Sequence, residues 1–215
     1  MPKVFLSAGH GGTDPGAVAN GLKEKDINLR ILLACNDVLV RHGVTTTLSR
    51  CTDENDPVAQ EVSEANESGA DIAVSFHTNA GKGDGSEAFY YSSSKIGKQL
   101  AGLCEKYVIA IGQNSRGAKK GDSLYFIKHT KMPAVLCECA FIDNAGDTSL
   151  VDTVPEQQAF GVAYAKAILE YFNIPFEDPN KYRVQIGSYS SKTNANKALQ
   201  KAKSAGFKDA YIVTT

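Results

Sequence analysis

The 215-residue sequence predicts an α/β fold, a three-layer sandwich with a mostly parallel central sheet covered by helices on both faces, plus a small C-terminal strand-helix-strand unit. Short apolar runs at Val4-Phe5-Leu6, Ile72-Ala73-Val74-Ser75-Phe76 and Ala134-Val135-Leu136 are too short for helices and are bounded by polar or turn residues, as buried strands are. Stretches of helical spacing lie between them. Strands that alternate with helices pack as a parallel sheet with both faces covered. With 42% hydrophobic residues, the chain has enough apolar material for a buried core.

Taken in order, the first strand, Val4 to Leu6, runs into the turn Gly9-His10-Gly11-Gly12. Residues 26–40 then place Ile27, Ile31, Ala34 and Val38 on one helical face, and 56–68 form a more polar amphipathic helix. The second strand ends in His77-Thr78-Asn79, and residues 95–111 again repeat apolar side chains at helical spacing. Arg116-Gly117-Ala118-Lys119-Lys120 reads as a basic loop before a strand at Leu124-Tyr125-Phe126-Ile127. The third apolar strand leads to Glu138, and a helix over 156–172 carries Phe160, Tyr164, Ile168 and Tyr171.

Composition changes after Phe172. Residues 173–180 hold two prolines and two acids and read as a linker between a domain at 1–172 and a unit at 181–215. That unit reads as an alternating strand over 182–189, a helix over 193–205 capped by Thr193 or Asn194 and stopped by Gly206, and a strand over 210–213. About 35 residues are too few to bury a core unaided.

The net charge of −1 and a pI near 6.4 argue against a duplex-binding protein. The near-neutral sum conceals two opposed parts. Residues 1–178 hold 16 Lys and Arg against 23 Asp and Glu, a net −7, and residues 179–215 hold 7 against 1, a net +6. No apolar run approaches the roughly 18–20 residues of a membrane-spanning helix, so no membrane insertion is expected. The N-terminus lacks the pattern of a signal peptide, so synthesis in the cytoplasm is expected. Five cysteines without a repeated CxxC spacing suggest reduced, mostly buried thiols, with Cys137 and Cys139 on one strand face rather than at a metal.

In open α/β sheets, ligands bind beyond the carboxyl ends of the strands. His10, His77 and Glu138 fall at three such ends, and two imidazoles with a carboxylate suffice for a catalytic zinc that keeps one position for water. Spacing alone leaves Glu24, Glu138 and Asp14 equal as the carboxylate ligand.

Further residues carry a resemblance. Ser7-Ala8-Gly9-His10-Gly11-Gly12-Thr13-Asp14-Pro15-Gly16-Ala17 is followed by Glu24-Lys25-Asp26-Ile27-Asn28-Leu29, Leu48-Ser49-Arg50 and Ala65-Asn66. Ala70-Asp71-Ile72-Ala73-Val74-Ser75-Phe76-His77-Thr78-Asn79-Ala80, Met132-Pro133-Ala134-Val135-Leu136-Cys137-Glu138 and Phe141-Ile142-Asp143-Asn144 complete a collinear set. Over residues 3–172 the chain resembles the zinc-dependent N-acetylmuramoyl-L-alanine amidases of the Amidase_3 type, departing at Ser7, where that family usually has Asp. The resemblance implies that His10, Glu24 and His77 bind one zinc ion and that Glu138 is the catalytic carboxylate. It further implies Arg116 at the substrate rim, facing an anionic peptide stem; Asn79 is a second candidate for binding substrate, or for fixing the tautomer of a ligating imidazole. The implied reaction is hydrolysis of the amide between N-acetylmuramic acid and L-alanine in peptidoglycan.

The segment 182–189, with Asn194-Ala195 and Ala205-Gly206-Phe207, resembles the first half of a SPOR domain. This implies a peptidoglycan-binding unit, with Gln185 and Tyr189 as its candidate contacts, and a homodimer formed by pairing two half-length tails. The biological setting expected is a phage or prophage endolysin freed by a holin. The alternatives are a sporulation amidase freed at mother-cell lysis, or another zinc hydrolase of wall peptides.

Overall fold

The computed structural model describes residues 1–178, 186–208 and 210–212, and the chain divides into two units, Met1–Phe176 and Glu177–Thr215. In the first unit, β1 (Lys3–Ala8) leads through a short antiparallel ribbon, β2 (Val18–Ala19) and β3 (Leu22–Lys23), to α1 (Glu24–Arg41). β4 (Thr45–Leu48), α2 (Val58–Ser68), β5 (Ile72–Asn79), β6 (Ser86–Tyr90), α3 (Lys95–Ile109) and β7 (Ser115–Lys120) follow. α4 (Tyr125–His129), β8 (Ala134–Phe141), α5 (Ala145–Thr148) and α6 (Val154–Tyr171) complete it.

The strand order is β4-β1-β5-β8-β6-β7. β1, β4, β5 and β8 run parallel, β6 lies antiparallel to β8, and β7 is parallel to β6. Alternation along β1 shows why the sheet needs cover on both sides. Val4, Leu6 and Ala8 join the core under α1, α3 and α6, whereas Phe5 faces Val62 and Ala65 of α2 and Phe126 of α4. On α1, Ile27, Ile31, Cys35 and Val38 form the buried stripe that the spacing predicts, and Ala34 lies at its half-buried margin. Helix α6 begins with a capping box in which the Thr153 N–H donates to the Glu156 carboxylate at 3.0 Å.

Two local expectations are corrected. The run at Leu124-Tyr125-Phe126-Ile127 is the start of α4 rather than a strand. A short apolar run fits either period, and here helical hydrogen bonding, with Lys128 N donating to Leu124 O at 2.9 Å, turns Phe126 and Ile127 together into the core. The basic stretch at 116–120 is not a loop but the edge strand β7. With only one neighbour in the sheet, it has no apolar run to announce it.

All five cysteines are free thiols, four of them buried and Cys51 exposed. Among the described residues, no helix is long and apolar enough to cross a membrane. In the second unit, α7 (Lys192–Ser204) stands where the helix was expected and Gly206 follows at φ 103°. The strands expected over 182–189 and 210–213 fall partly outside the described residues, and their described parts, 186–189 and 210–212, carry no strand. Of the described residues of this unit only Ala202 is buried, so the described residues offer no core for a strand to pack on.

Candidate metal centre

His10 lies just past β1 at φ 66°, a left-handed conformation that turns its ring over the end of the sheet. Its Nδ1 is 2.8 Å from Asp14 Oδ2 and its Nε2 3.3 Å from Glu24 Oε2. His77, in the second half of β5, places Nδ1 3.0 Å from Glu24 Oε1. Glu24, the first residue of α1, is buried, and its carboxylate also accepts from Ala17 N at 2.9 Å, Thr78 N at 3.0 Å and Asn28 Nδ2 at 3.3 Å. One donor atom from each of His10, Glu24 and His77 lies within 4.8 Å of the others.

Two glycines make room for this approach. A Cβ on Gly9 would lie 2.1 Å from His77 Cε1, and one on Gly16 would lie 2.6 Å from Glu24 Oε2. Beneath them sits Arg50, 2% exposed. Its guanidinium donates to Ala8 O at 2.9 Å and to Lys25 O at 2.8 Å, with further contacts to Thr52 O and Gly9 O. One side chain thus ties the backbone leading into His10 to the backbone leaving Glu24. The neighbouring loop is pinned as well: Lys25 Nζ donates to Gly12 O at 2.8 Å and Asp53 Oδ2 at 2.6 Å, and Gly12 N donates to Asp53 Oδ1 at 2.8 Å.

The electrostatics follow from the contacts. Hydrogen bonding to Glu24 raises the His10 imidazole to about 9, with Asp14 adding to it against the effect of burial. Burial pushes the Glu24 carboxyl up, but hydrogen bonds from His10 and His77 outweigh it and hold the group well below the usual carboxylate range. Burial lowers His77, and its contacts with Glu24 and Glu138 more than reverse this. Glu138 pairs with His77 across β5 and β8, and burial raises its carboxyl to about 7. Its Oε2 is shielded from solvent and has no hydrogen-bond partner among the described residues.

The structure therefore brings His10, Glu24 and His77 together with Glu138 on the adjoining strand. Asp14 holds His10 from outside the cluster. Asn79 and Arg116 meet elsewhere, on Glu87, through Asn79 Nδ2 at 3.0 Å and Arg116 Nε at 2.9 Å. Tyr189 is exposed in the second unit, and Gln185 lies outside the described residues. Neither Arg50 as a tether nor Glu87 as a meeting point emerges from sequence reasoning, because Arg50 binds backbone carbonyls and the cationic partners of Glu87, Arg116 and Lys119, lie 29 and 32 residues away on another strand.

The donor set suits zinc. Ligand bonds of about 2.0–2.1 Å in a tetrahedron set donor atoms roughly 3.3 Å apart. His10 Nε2 lies 3.3 Å from one Glu24 oxygen and His77 Nδ1 3.0 Å from the other, and one donor atom from each residue lies within 4.8 Å of the others, near enough for one ion to draw them together. Two imidazoles and one carboxylate leave a fourth position open, as catalytic zinc sites do.

The family model for N-acetylmuramoyl-L-alanine amidase, Amidase_3, matches residues 4–170, and the SPOR domain model matches 176–215. The sporulation-specific N-acetylmuramoyl-L-alanine amidase of Bacillus subtilis (strain 168) is 33% identical over 96% of this chain and 83% of its own length. The endolysin of Bacillus phage SPP1 is 37% identical over 80% of this chain and 66% of its own length. Among solved structures, the catalytic domain of the amidase CwlV from Bacillus (Paenibacillus) polymyxa var. colistinus superposes with a TM-score of 0.76 at 30% identity, covering 81% of this chain and all of that one.

If Arg50 sets the spacing of the two ligand-bearing segments, a point donor in its place will not. Arg50→Lys is expected to weaken zinc binding by about 10–100-fold, the usual cost of losing a group that orients a ligand. Competition titration with a chelating dye measures it.

Proposed function

The chain belongs to the Amidase_3 family of N-acetylmuramoyl-L-alanine amidases, and we propose that it hydrolyses the muramoyl–L-alanine amide of peptidoglycan at His10, Glu24 and His77, with Glu138 as the catalytic carboxylate. The family is zinc-dependent, and both matched family models point to peptidoglycan as the substrate. The observation that carries the assignment of residues is the His-Glu-His cluster, its donor atoms within 4.8 Å of one another, beside a buried carboxylate oxygen without a partner among the described residues.

When bound, zinc lowers the pKa of a water toward about 7 and polarises the scissile carbonyl. Glu138 takes the proton of the attacking water on its unpartnered oxygen and delivers it to the alanine nitrogen as the amide breaks. Burial favours the protonated form of this carboxyl, which helps it hold the proton between the two halves of the transfer. Asp14 holds His10 through Nδ1 and so presents Nε2 to the centre.

Two settings are compatible with this chemistry. Release by a phage or prophage holin is supported by the 37% identity with the phage endolysin. Sporulation, with release at mother-cell lysis, is favoured by a relative whose match runs over 96% of the chain and so takes in the second unit. In the native host, transcript that rises on prophage induction assigns the protein to phage lysis, and transcript confined to late sporulation assigns it to the mother cell.

The second unit supports a homodimer through paired tails. Ile186, Phe207 and Tyr211 are 68, 67 and 62% exposed in a short segment with almost nothing buried, and a second copy would cover them. Light scattering is expected to give a dimer for the full chain and a monomer for a version ending at Asp178. Two monomers would end this reading.

Mass spectrometry of digested sacculi is expected to show free L-alanine amino ends for the wild type and none for Glu138→Gln with zinc still bound. Loss of acetyl groups or of terminal amino acids instead would mean a different zinc hydrolase. The same substitution has a signature without metal. The folded-state pKa of Glu138, about 7, lies above the 4.5 of an ordinary glutamate, so folded protein binds this proton more tightly and loses stability as pH rises between the two values. Metal-free Glu138→Gln is expected to be more stable than wild type at pH 8, by up to about 3 kcal/mol, and equal to it near pH 4. Thermal denaturation at the two pH values measures the difference.

A further inference from the structure

His77, Glu138 and Glu87 are register partners across β5, β8 and β6, so their side chains stand in one row on one face of the sheet. Each step along the row is about 4.8 Å. Glu87, at its far end, has a side chain only 7% exposed, yet it meets two cations: Arg116 Nε donates to Oε2 at 2.9 Å, and Lys119 Nζ donates to the same oxygen. Asn79 holds the other oxygen at 3.0 Å. Burial raises the Glu87 carboxyl, and hydrogen bonds from Lys119 and Arg116 outweigh this and keep it ionised.

One anion shared by two cations leaves a net positive charge beside Glu138. The two cations are also presented rather than hidden, with side chains 39 and 37% exposed. Arg116 uses only Nε on Glu87 among the described hydrogen bonds, and its guanidinium lies 5.1 Å from the centre of the Phe141 ring. Its remaining N–H groups have the planar geometry that pairs with a carboxylate. Lys119, tethered to the same oxygen, adds a point charge alongside. Glu87 thus sets the direction of both cations without touching the ligand they would bind.

We infer that Arg116 and Lys119, positioned by Glu87, form a subsite for a carboxylate on the peptide leaving group, one residue beyond the alanine of the scissile amide. This rests on the amidase reading of the centre, which places the alanine nitrogen at Glu138. An extended peptide covers about 7 Å in two residues, enough to pass from Glu138 along the row to the cations beyond Glu87. In the stem peptide the group at that distance is the free α-carboxylate of a γ-linked glutamate, which becomes a neutral carboxamide where that residue is isoglutamine.

Two synthetic muramoyl tripeptides, L-alanyl-γ-D-glutamyl-L-lysine with that carboxylate free or amidated and otherwise identical, test the subsite with zinc-loaded full-length protein. The wild type is expected to favour the acid by about tenfold in kcat/KM, through KM, as loss of one charge-assisted hydrogen bond would give. Arg116→Gln and Lys119→Gln are expected to bring the two substrates within about twofold. Glu87→Gln is expected to raise KM for the acid with kcat largely kept, a split that general loss of folded enzyme would not produce. A wild type that cleaves both substrates equally well, or variants that keep its full preference, would overturn the subsite and leave the amidase standing. A wild type that cleaves neither these nor whole sacculi would overturn the amidase reading itself.

Discussion

A single buried carboxylate organises the site. Glu24 opens α1, where the helix dipole favours a negative charge, but burial there would cost several kcal/mol if the charge were left unpaired. It is instead surrounded by donors from three places: Ala17 N from the loop after β1, Asn28 from its own helix and Thr78 N from β5. The two imidazoles complete the shell. The segments that carry His10 and His77 are thus drawn to one point. The same requirement accounts for the missing side chains at Gly9 and Gly16, since either Cβ would occupy the space the carboxylate or the rings need.

Sheet order decides what lies next to that point. With β1, β5 and β8 parallel and adjacent, their carboxyl ends open on one side, which brings His10, His77 and Glu138 together although they are far apart in the chain. The reversal at β6 matters as much. An antiparallel neighbour brings its early residues to the same end, and that is how Glu87 comes to stand beside Glu138. Glu138 therefore stands between His77 and Glu87; burial keeps its proton bound against the pull of His77, and the charges of Glu24 and Glu87 add to the effect of burial.

The parts of the fold that bury both faces or a continuous stripe were legible in the sequence. β1, β5 and β8 are apolar runs, and α1, α3 and α6 repeat apolar residues at 3.6-residue spacing. The edge strands were not. β4 is Thr45-Thr46-Thr47-Leu48 and β7 alternates half-buried with exposed polar residues, so neither has an apolar pattern to read. At the site, the residue types pointed to a metal, but spacing could not choose among Asp14, Glu24 and Glu138, and resemblance to a family supplied the choice. Arg50 shows the limit most clearly. Its partners are the carbonyls of Ala8, Gly9, Lys25 and Thr52, and any residue at those positions would offer the same oxygen.

Charge works at two ranges in this molecule. The catalytic stretch, 1–178, has a net charge of −7 and would be repelled by an anionic wall polymer, whereas 179–215 carries +6, with Lys192, Lys197, Lys201 and Lys203 all exposed on α7. At physiological ionic strength screening sets in over about 8 Å, so the tail attracts the polymer only near its own surface, and the choice of bond falls to groups that touch the substrate. That choice needs a cation within contact range, and the acidic unit provides few beside its centre. Arg116 and Lys119 stand there because the buried Glu87 pairs with both. Overall attraction and local recognition therefore draw on different residues, and raising the salt concentration would weaken the tail's attraction well before it weakened a carboxylate held in contact with Arg116.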